Sequence, residues 1–356
     1  MKLLLITYNL MRRGGIERLS LDVIEALNLN GHQVKVIHTK RLGTGWLGRL
    51  LGQLFFITRI AIASRQCDQL FSMHALLLSQ VNWLLPRGLP RFCWLHGVEV
   101  WGAALPSLAP SLRRCKRLIA SSNFTKKQLL STAAEKWPEI KVLNPVARLW
   151  ENLAQPASLP ADYTQGLKLL TVARMAANER YKGHDLVLQA LALLKSDCSK
   201  AQWIWQIVGN GNDRGRLEML TTQLGLAENV VFLGDLDDEA LRAAYLNCNL
   251  FVMPSSFSIA ADGSASGEGF GITYLEAALG GRAAIGCRQG GQTDLIMDGE
   301  TGWLVDPQAV ELVQVFKYLI ANPDELRRRG EAARSFACKY FSEAEFNSAL
   351  GSFLMN

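Results

Sequence analysis

"LKLLTVARMAANERYKGHDLVLQALALLKSDCSKAQWIWQIVGNG" runs from Leu167 to Gly211 and holds the order strand, loop, helix, strand. "LKLLTV" is a short apolar run with β-branched residues, the pattern of a strand buried on both faces. From His184 to Lys195 the apolar residues recur at helical spacing. "WIWQIV" then reads as a second buried strand, closed by the glycine turn "GNG". A strand–helix–strand unit of this length needs a parallel pairing with the helix crossing over the sheet.

The same alternation extends in both directions. Upstream, "KLLLITY", "QVKVIHT", "QLFSMH", "RFCWLHG" and "RLIASS" read as buried strands, separated by helical segments at Ile16–Asn30, Trp46–Ser64, Ala75–Leu85 and Asn123–Ala134. Ser122 is placed to cap the last of these. Downstream come a helix near Arg214–Leu224, "VVFLG", a helix near Asp238–Asn247, "LFVMP", "AAIGC" and "GWLVD", with two further helices closing the chain. Between the halves, Asn144–Gly166 holds three prolines and little periodicity, so it reads as a linker. The expected fold class is α/β, with two doubly wound Rossmann-like domains at 1–150 and 151–335 and a closing helix at 336–356. Ligands of such sheets bind at the carboxyl ends of the strands, and two such domains face to face make a cleft.

The bulk composition agrees. A chain of 356 residues exceeds one ordinary core, and 49% hydrophobic residues fit packed domains rather than disorder. The net charge of +6 suits an anionic ligand or membrane surface, and nothing in the motifs points to nucleic acid. The seven cysteines are scattered without a CxxC pair, which reads as reduced thiols in a cytoplasmic protein. "MKLLLITYNLMRR" lacks a small-residue cleavage site and is expected to be a first strand, not a leader. The longest apolar stretch, Trp46–Ala63, is interrupted by Arg49 and Arg59.

Candidate functional residues gather after strands. Gly14-Gly15 precede a helix and permit either an anion at its N-terminus or an ordinary turn. Arg174 ends a strand and Lys182-Gly183 open the next helix, the makings of a pyrophosphate clamp, with Arg180 open to either role. Gly209 and Gly211 permit close approach of a base or ribose, or simply a turn. In "SGEGFGITYLEAALGG", Ser266–Gly281, Glu268 and Glu276 stand eight residues apart around Gly269-Phe270-Gly271. Glycines weaken a helix start unless the backbone must come close to something. One carboxylate can take the hydroxyls of a sugar, the other those of a ribose, and the helix N-terminus between them a phosphate. His96 ends an apolar strand with Glu99 close by. "DLDD", Asp235–Asp238, has the DxD spacing of some metal sites but precedes a helix and reads as its cap, so no metal is expected. In Trp46–Ala63, Leu47, Leu50, Leu51, Leu54, Phe55 and Ile57 share roughly one face. A helix laid with that face on the sheet explains most of the pattern. With Arg41, Arg49, Arg59 and Arg65, contact with an anionic membrane is the sharper reading.

Taken in order, these motifs resemble the family 4 retaining glycosyltransferases of the GT-B fold. The most specific element is the E-x7-E signature at Glu268 and Glu276. "GGIERLSLDV", "LHGVEVWG", "ARMAANERYKGHD", "FVMPS", "GGQTDLI" and "GETGWLVDP" resemble the family's loops, in the family's order. The resemblance implies that Arg174 and Lys182 neutralise a donor diphosphate. Gly15 then approaches that phosphate or the acceptor, Glu268 binds donor-sugar hydroxyls, Glu276 binds the ribose, and His96 contacts the sugar. It also implies that the final helices return to the first domain. Two features depart from the pattern: the Arg174–Lys182 gap is long, and Ser256–Gly267 expands the loop before Glu268 with Ala, Ser and Gly, which suggests mobility.

The expectation is therefore a hexosyltransferase without a metal cofactor. It moves a sugar, with a lean to mannose, from a nucleotide diphosphate sugar to a hydroxyl acceptor that is lipid-linked. The setting is cell-surface polysaccharide or glycolipid synthesis on the inner face of the cytoplasmic membrane. The alternatives are a non-catalytic nucleotide-sugar-binding protein of the same fold, and a dinucleotide-dependent oxidoreductase, which the missing GxGxxG opposes.

Overall fold

The computed structural model describes residues 1–10, 14–40, 45–131, 136–151, 166–198 and 200–355. Arg41 and most of the expected linker, residues 152–165, lie outside these. The chain divides into two compact units: Met1–Val146 with Ile259–Ala265 and Phe341–Asn356, and Ala147–Ser258 with Ser266–Tyr340.

The first unit is built as β1 (Lys2–Thr7), α1 (Gly15–Leu29), β2 (Gln33–His38), α2 (Gly45–Ala63), β3 (Gln69–Ser72), α3 (Ala75–Val81), β4 (Arg91–Leu95), α4 (Val98–Trp101), α5 (Leu105–Leu112), β5 (Arg117–Ala120), α6 (Asn123–Ser131) and β6 (Glu139–Val142). Its six strands pair in parallel in the order β2-β1-β3-β4-β5-β6. Central strands are buried on both faces, hence the unbroken "KLLLIT", whereas the edge strand β2 is only partly covered. α4, α5 and β6 escaped the sequence reading. α5 carries Pro106 and Pro110, which mask its helical period, and β6 has only four residues.

The second unit follows with β7 (Leu167–Val172), α7 (His184–Asp197), β8 (Trp203–Val208), α8 (Arg214–Gln223), β9 (Val230–Gly234), α9 (Asp238–Asn247), β10 (Leu250–Val252), a short ladder of β11 (Ser258–Ile259) and β12 (Ala265–Ser266) at the two borders of Ile259–Ala265, which belongs to the first unit, then α10 (Ile272–Leu279), β13 (Ala284–Cys287) and β14 (Gly302–Val305). Its sheet runs β14-β13-β10-β7-β8-β9. Leu167, Leu169, Trp205 and Ile207 pack on Val187, Leu191 and Leu194 of α7. Three helices close the chain rather than two: α11 (Ala309–Ala321), α12 (Asp324–Tyr340) and α13 (Glu343–Met355). Pro323 ends the first of them, and Ser342 accepts from the Glu345 N–H where the last begins.

α13 completes the core of the first unit. Phe346, Leu350 and Phe353 lie against Leu3, Phe92 and Trp94. Arg117 Nη1 donates to Phe353 O at 2.7 Å, and Asn30 Nδ2 donates to Asn347 O at 3.1 Å.

The reading of α2 as a helix laid on its leucines is corrected. Gly48, Gly52, Phe56, Ile60 and Ala63 are the buried positions, and the leucine face points outward. Glycines four residues apart let the helix backbone sit close to the unit, so the small residues take the inner side.

Candidate active site

Each sheet has a topological switch point, where successive strands leave a central one on opposite sides. Ligand crevices form beyond the carboxyl ends of the strands at such points. In the second unit, β8 lies on one side of β7 and β10 on the other. The loops after β7 and β10 therefore converge. The first carries Arg174 and Lys182, and the second carries Glu268.

Lys182 Nζ donates to the Glu268 carboxylate, with the two side chains only 14% and 13% exposed. Burial works against the Lys182 charge, but Glu268 and Tyr181 outweigh it, and the pKa is pushed up to about 12. Tyr181 lies within electrostatic reach of Lys182, Glu268, Glu179 and Arg174, so these four charges share one neighbourhood. Arg174 is 76% exposed and donates to Glu179. Arg180 pairs with Asp185 at 3.1 Å, and Asp185 also receives Arg216 at 2.6 Å.

Gly183 explains why the basic loop ends on a glycine. Its φ is +87°, and a Cβ there meets Pro254 O at 2.6 Å. Gly209 has a similar reason: a Cβ meets Ala173 O at 2.2 Å, so the ends of β7 and β8 approach closely.

The Glu268 backbone is fixed by the "GGQ" loop, since Gly291 N donates to Glu268 O at 2.7 Å. A Cβ on Gly291 collides with Gly269 O at 2.3 Å. Gly271, at φ +96°, opens α10 with no side-chain cap, so the positive end of the helix lies beside the Lys182–Glu268 pair. Phe270 is buried at 4% exposure, so this segment presents backbone rather than a ring. Gln292 is fully buried and its Nε2 donates to Ser255 O, Cys287 O and Gln289 O, holding the loops together. Glu276 is 4% exposed and accepts from Tyr245 Oη at 2.9 Å, while its carbonyl accepts from Trp150 Nε1. The Ser256–Gly267 segment, whose composition suggests mobility, is folded on itself: Asp262 accepts from Ser264 N and Oγ, and Ala260 N donates to Ser264 O.

In the first unit the switch point lies between β1 and β3. Gly15 opens α1 there, and a Cβ on it meets nothing within 4 Å. His96 follows β4. Its backbone N–H and that of Gly97 donate to Glu99 at 2.6 and 2.9 Å. His96 Nε2 lies 2.6 Å from Met73 O; a carbonyl only accepts, so this nitrogen carries the proton. His74 stacks on His96 at 5.5 Å, and its Nδ1 accepts from Leu76 N. Burial pushes His74 down to about 4, so it stays neutral beside Glu99. His74 and Tyr245 have no mark in the sequence. Each acquires its partner only through folding, although "FSMH" and "CWLH" both place a histidine after a strand.

Asp237 Oδ1 accepts from Ala240 N at 2.8 Å, which makes "DLDD" the cap of α9.

Residues 162–336 match the family described as glycosyl transferases group 1. A GDP-mannose-dependent alpha-(1-6)-phosphatidylinositol monomannoside mannosyltransferase of Mycolicibacterium smegmatis is 32% identical over 157 residues, 44% of this chain and 40% of that protein. The Mycobacterium tuberculosis H37Rv protein of the same name is 26% identical over 267 residues, 73% of this chain and 68% of its own. This chain thus spans only about two fifths of the first of these relatives. Among solved structures, sucrose-phosphate synthase of Thermosynechococcus elongatus has a TM-score of 0.80 at 19% identity, covering 99% of this chain and 98% of that one. Anabaena Alr3699/HepE, in complex with UDP and glucose, has a TM-score of 0.74 at 20% identity and covers 99% of each chain. Over residues 162–336 the chain is thus similar to the group 1 glycosyl transferases, and its two six-stranded parallel sheets have the GT-B fold.

Proposed function

We propose that the protein transfers a hexosyl group from a nucleotide diphosphate sugar to a hydroxyl acceptor, with retention at the anomeric carbon. The Lys182–Glu268 pair carries this reading: one cation and one carboxylate held together at the positive end of α10. A glycosyl diphosphate needs both. As the anomeric C–O bond breaks, negative charge gathers on the leaving diphosphate, and Arg174, Lys182 and the α10 N–H groups stabilise it without a metal. Glu268 takes hydroxyls of the sugar and Glu276 those of the ribose, with Tyr245 holding the Glu276 carboxylate in place. Gly269, Phe270, Gly271 and Gly209 bring backbone close to the donor. Gly15 and His96, after strands of the first unit, are the residues to which the family resemblance gives the phosphate or acceptor and the sugar. No side chain is assigned as a nucleophile, so the acceptor attacks the face the diphosphate leaves, and the leaving phosphate takes its proton.

The names of the mycobacterial relatives support mannose as the sugar and a glycolipid acceptor. The setting is then surface polysaccharide or glycolipid synthesis at the inner face of the cytoplasmic membrane. The test is incubation with GDP-mannose or UDP-glucose and a panel of hydroxyl acceptors, followed by proton NMR of the anomeric signal. An α-linked product from an α-donor is expected. A β-linked product overturns retention, and no turnover of any nucleotide sugar overturns the assignment.

A further inference from the structure

The outward face of α2 is the least expected surface of the molecule. Trp46 is 76% exposed, Leu47 53%, Leu50 44%, Leu51 46%, Leu54 52% and Ile62 57%. At about 100° per residue these fall on the half of the helix opposite Gly48, Gly52, Phe56 and Ile60, which are buried against the unit. Arg49 and Arg59 are exposed, although at about 100° per residue they project from the same half of the helix as the buried positions. α2 is also the only described helix long and apolar enough to cross a membrane. Its buried half, however, belongs to the packing of the unit, so it lies along a surface rather than through one.

We propose that α2 is a lipid-docking helix that seats the first unit on an anionic bilayer. The apolar half enters the acyl boundary, Trp46 sits at headgroup level, and the long, exposed Arg49 and Arg59 side chains extend from the unit-facing half to lipid phosphates. Charge selects this occupant. The first unit, with Ile259–Ala265 and Phe341–Asn356 included, holds 20 Lys and Arg against 10 Asp and Glu, a net of +10, although the whole chain is only +6. An anionic surface is attracted to such a unit, whereas a second copy docked face to face brings two like charges together. Nucleic acid suits the charge but not the leucines. The proposal stands on α2 itself and does not rest on the transfer reaction.

The experiment is sedimentation of the full chain with vesicles of phosphatidylcholine alone and of phosphatidylcholine with phosphatidylglycerol. Wild type is compared with Leu50→Ser/Leu54→Ser and with Arg49→Gln/Arg59→Gln. Both pairs are at the surface, and circular dichroism checks the fold. Wild type is expected to bind the anionic vesicles at least about tenfold more tightly than the neutral ones, with a blue-shifted emission lost in Trp46→Phe. Each double variant is expected to lose about tenfold or more. Equal binding by wild type and Leu50→Ser/Leu54→Ser overturns the proposal. So does a dimer in vesicle-free solution that the leucine variant dissolves, which makes the face a self-interface. Donor binding, measured separately, is expected to be unchanged in these variants.

Discussion

Lys182 and Glu268, 86 residues apart in the chain, meet as an ion pair at the switch point of the second sheet. Each is nearly shielded from water, and each loop is anchored by a glycine that admits no side chain: Gly183 against Pro254 and Gly291 against Gly269. The pair satisfies both charges. On the proposed function, a diphosphate sugar would bring hydroxyls to the carboxylate and oxygens to the ammonium, exchanging one internal contact for two to the donor.

Replacing either partner is expected to have separable effects. Lys182→Ala should lower turnover roughly tenfold to a hundredfold, the loss of about 1.5–3 kcal/mol of charge-assisted bonding. It should also destabilise the fold by about 1–3 kcal/mol by stranding the Glu268 carboxylate. Adding Glu268→Gln should restore much of the stability but none of the turnover. Urea titration and initial rates on wild type, Lys182→Ala, Glu268→Gln and the double variant check this.

Arg174 should behave differently. Its side chain is 76% exposed, while the Glu179 carboxylate it pairs with is only 13% exposed, so Arg174→Ala should destabilise the fold by about 1 kcal/mol, by stranding Glu179 rather than by losing packing of its own. Donor turnover should still fall about tenfold or more. A large melting shift with unchanged rates contradicts the role given to it.

The glycines divide in the same way. Gly183→Ala faces a positive φ and a carbonyl at 2.6 Å and should be strongly destabilising. Gly15→Ala meets open space, so its stability should be near wild type or slightly higher, and any loss should be in activity. Melting temperature and rate, measured together, separate the two.

Acid should weaken the fold through two histidines. Burial holds His74 and His184 at about 4, below the ordinary 6.5. The unfolded chain therefore binds more protons between these values. The stability they contribute is fully present above 6.5 and is lost as pH falls towards 4. Each contributes about 1.4 kcal/mol per pH unit across that window. His184→Gln should remove one such slope from a urea-midpoint profile measured from neutral pH downward. His184 Nε2 is buried with no hydrogen-bond partner among the described residues, so the change strands no existing bond there.

The sheet strands were legible because central parallel strands must be apolar on both faces, as "KLLLIT" and "LKLLTV" are. The E-x7-E spacing and the "YKG" loop single out the two segments that the structure joins through the Lys182–Glu268 pair. What could not be read was orientation and long-range pairing. Periodicity shows that α2 has an apolar face but not which way it points, and Gly48 and Gly52 were the overlooked sign of a close inner side. Tyr245 on Glu276 and His74 on His96 depend on elements 31 and 22 residues apart, which only the sheet order brings together.

Calorimetric titration of GDP, UDP, GDP-mannose and UDP-glucose into wild type and Lys182→Ala, with EDTA present, tests the diphosphate site most directly. One nucleotide class is expected to bind wild type in EDTA and to lose about tenfold or more in the variant. Equal binding by both proteins, or binding that needs a divalent metal, contradicts a clamp built from Lys182, Arg174 and the α10 N-terminus.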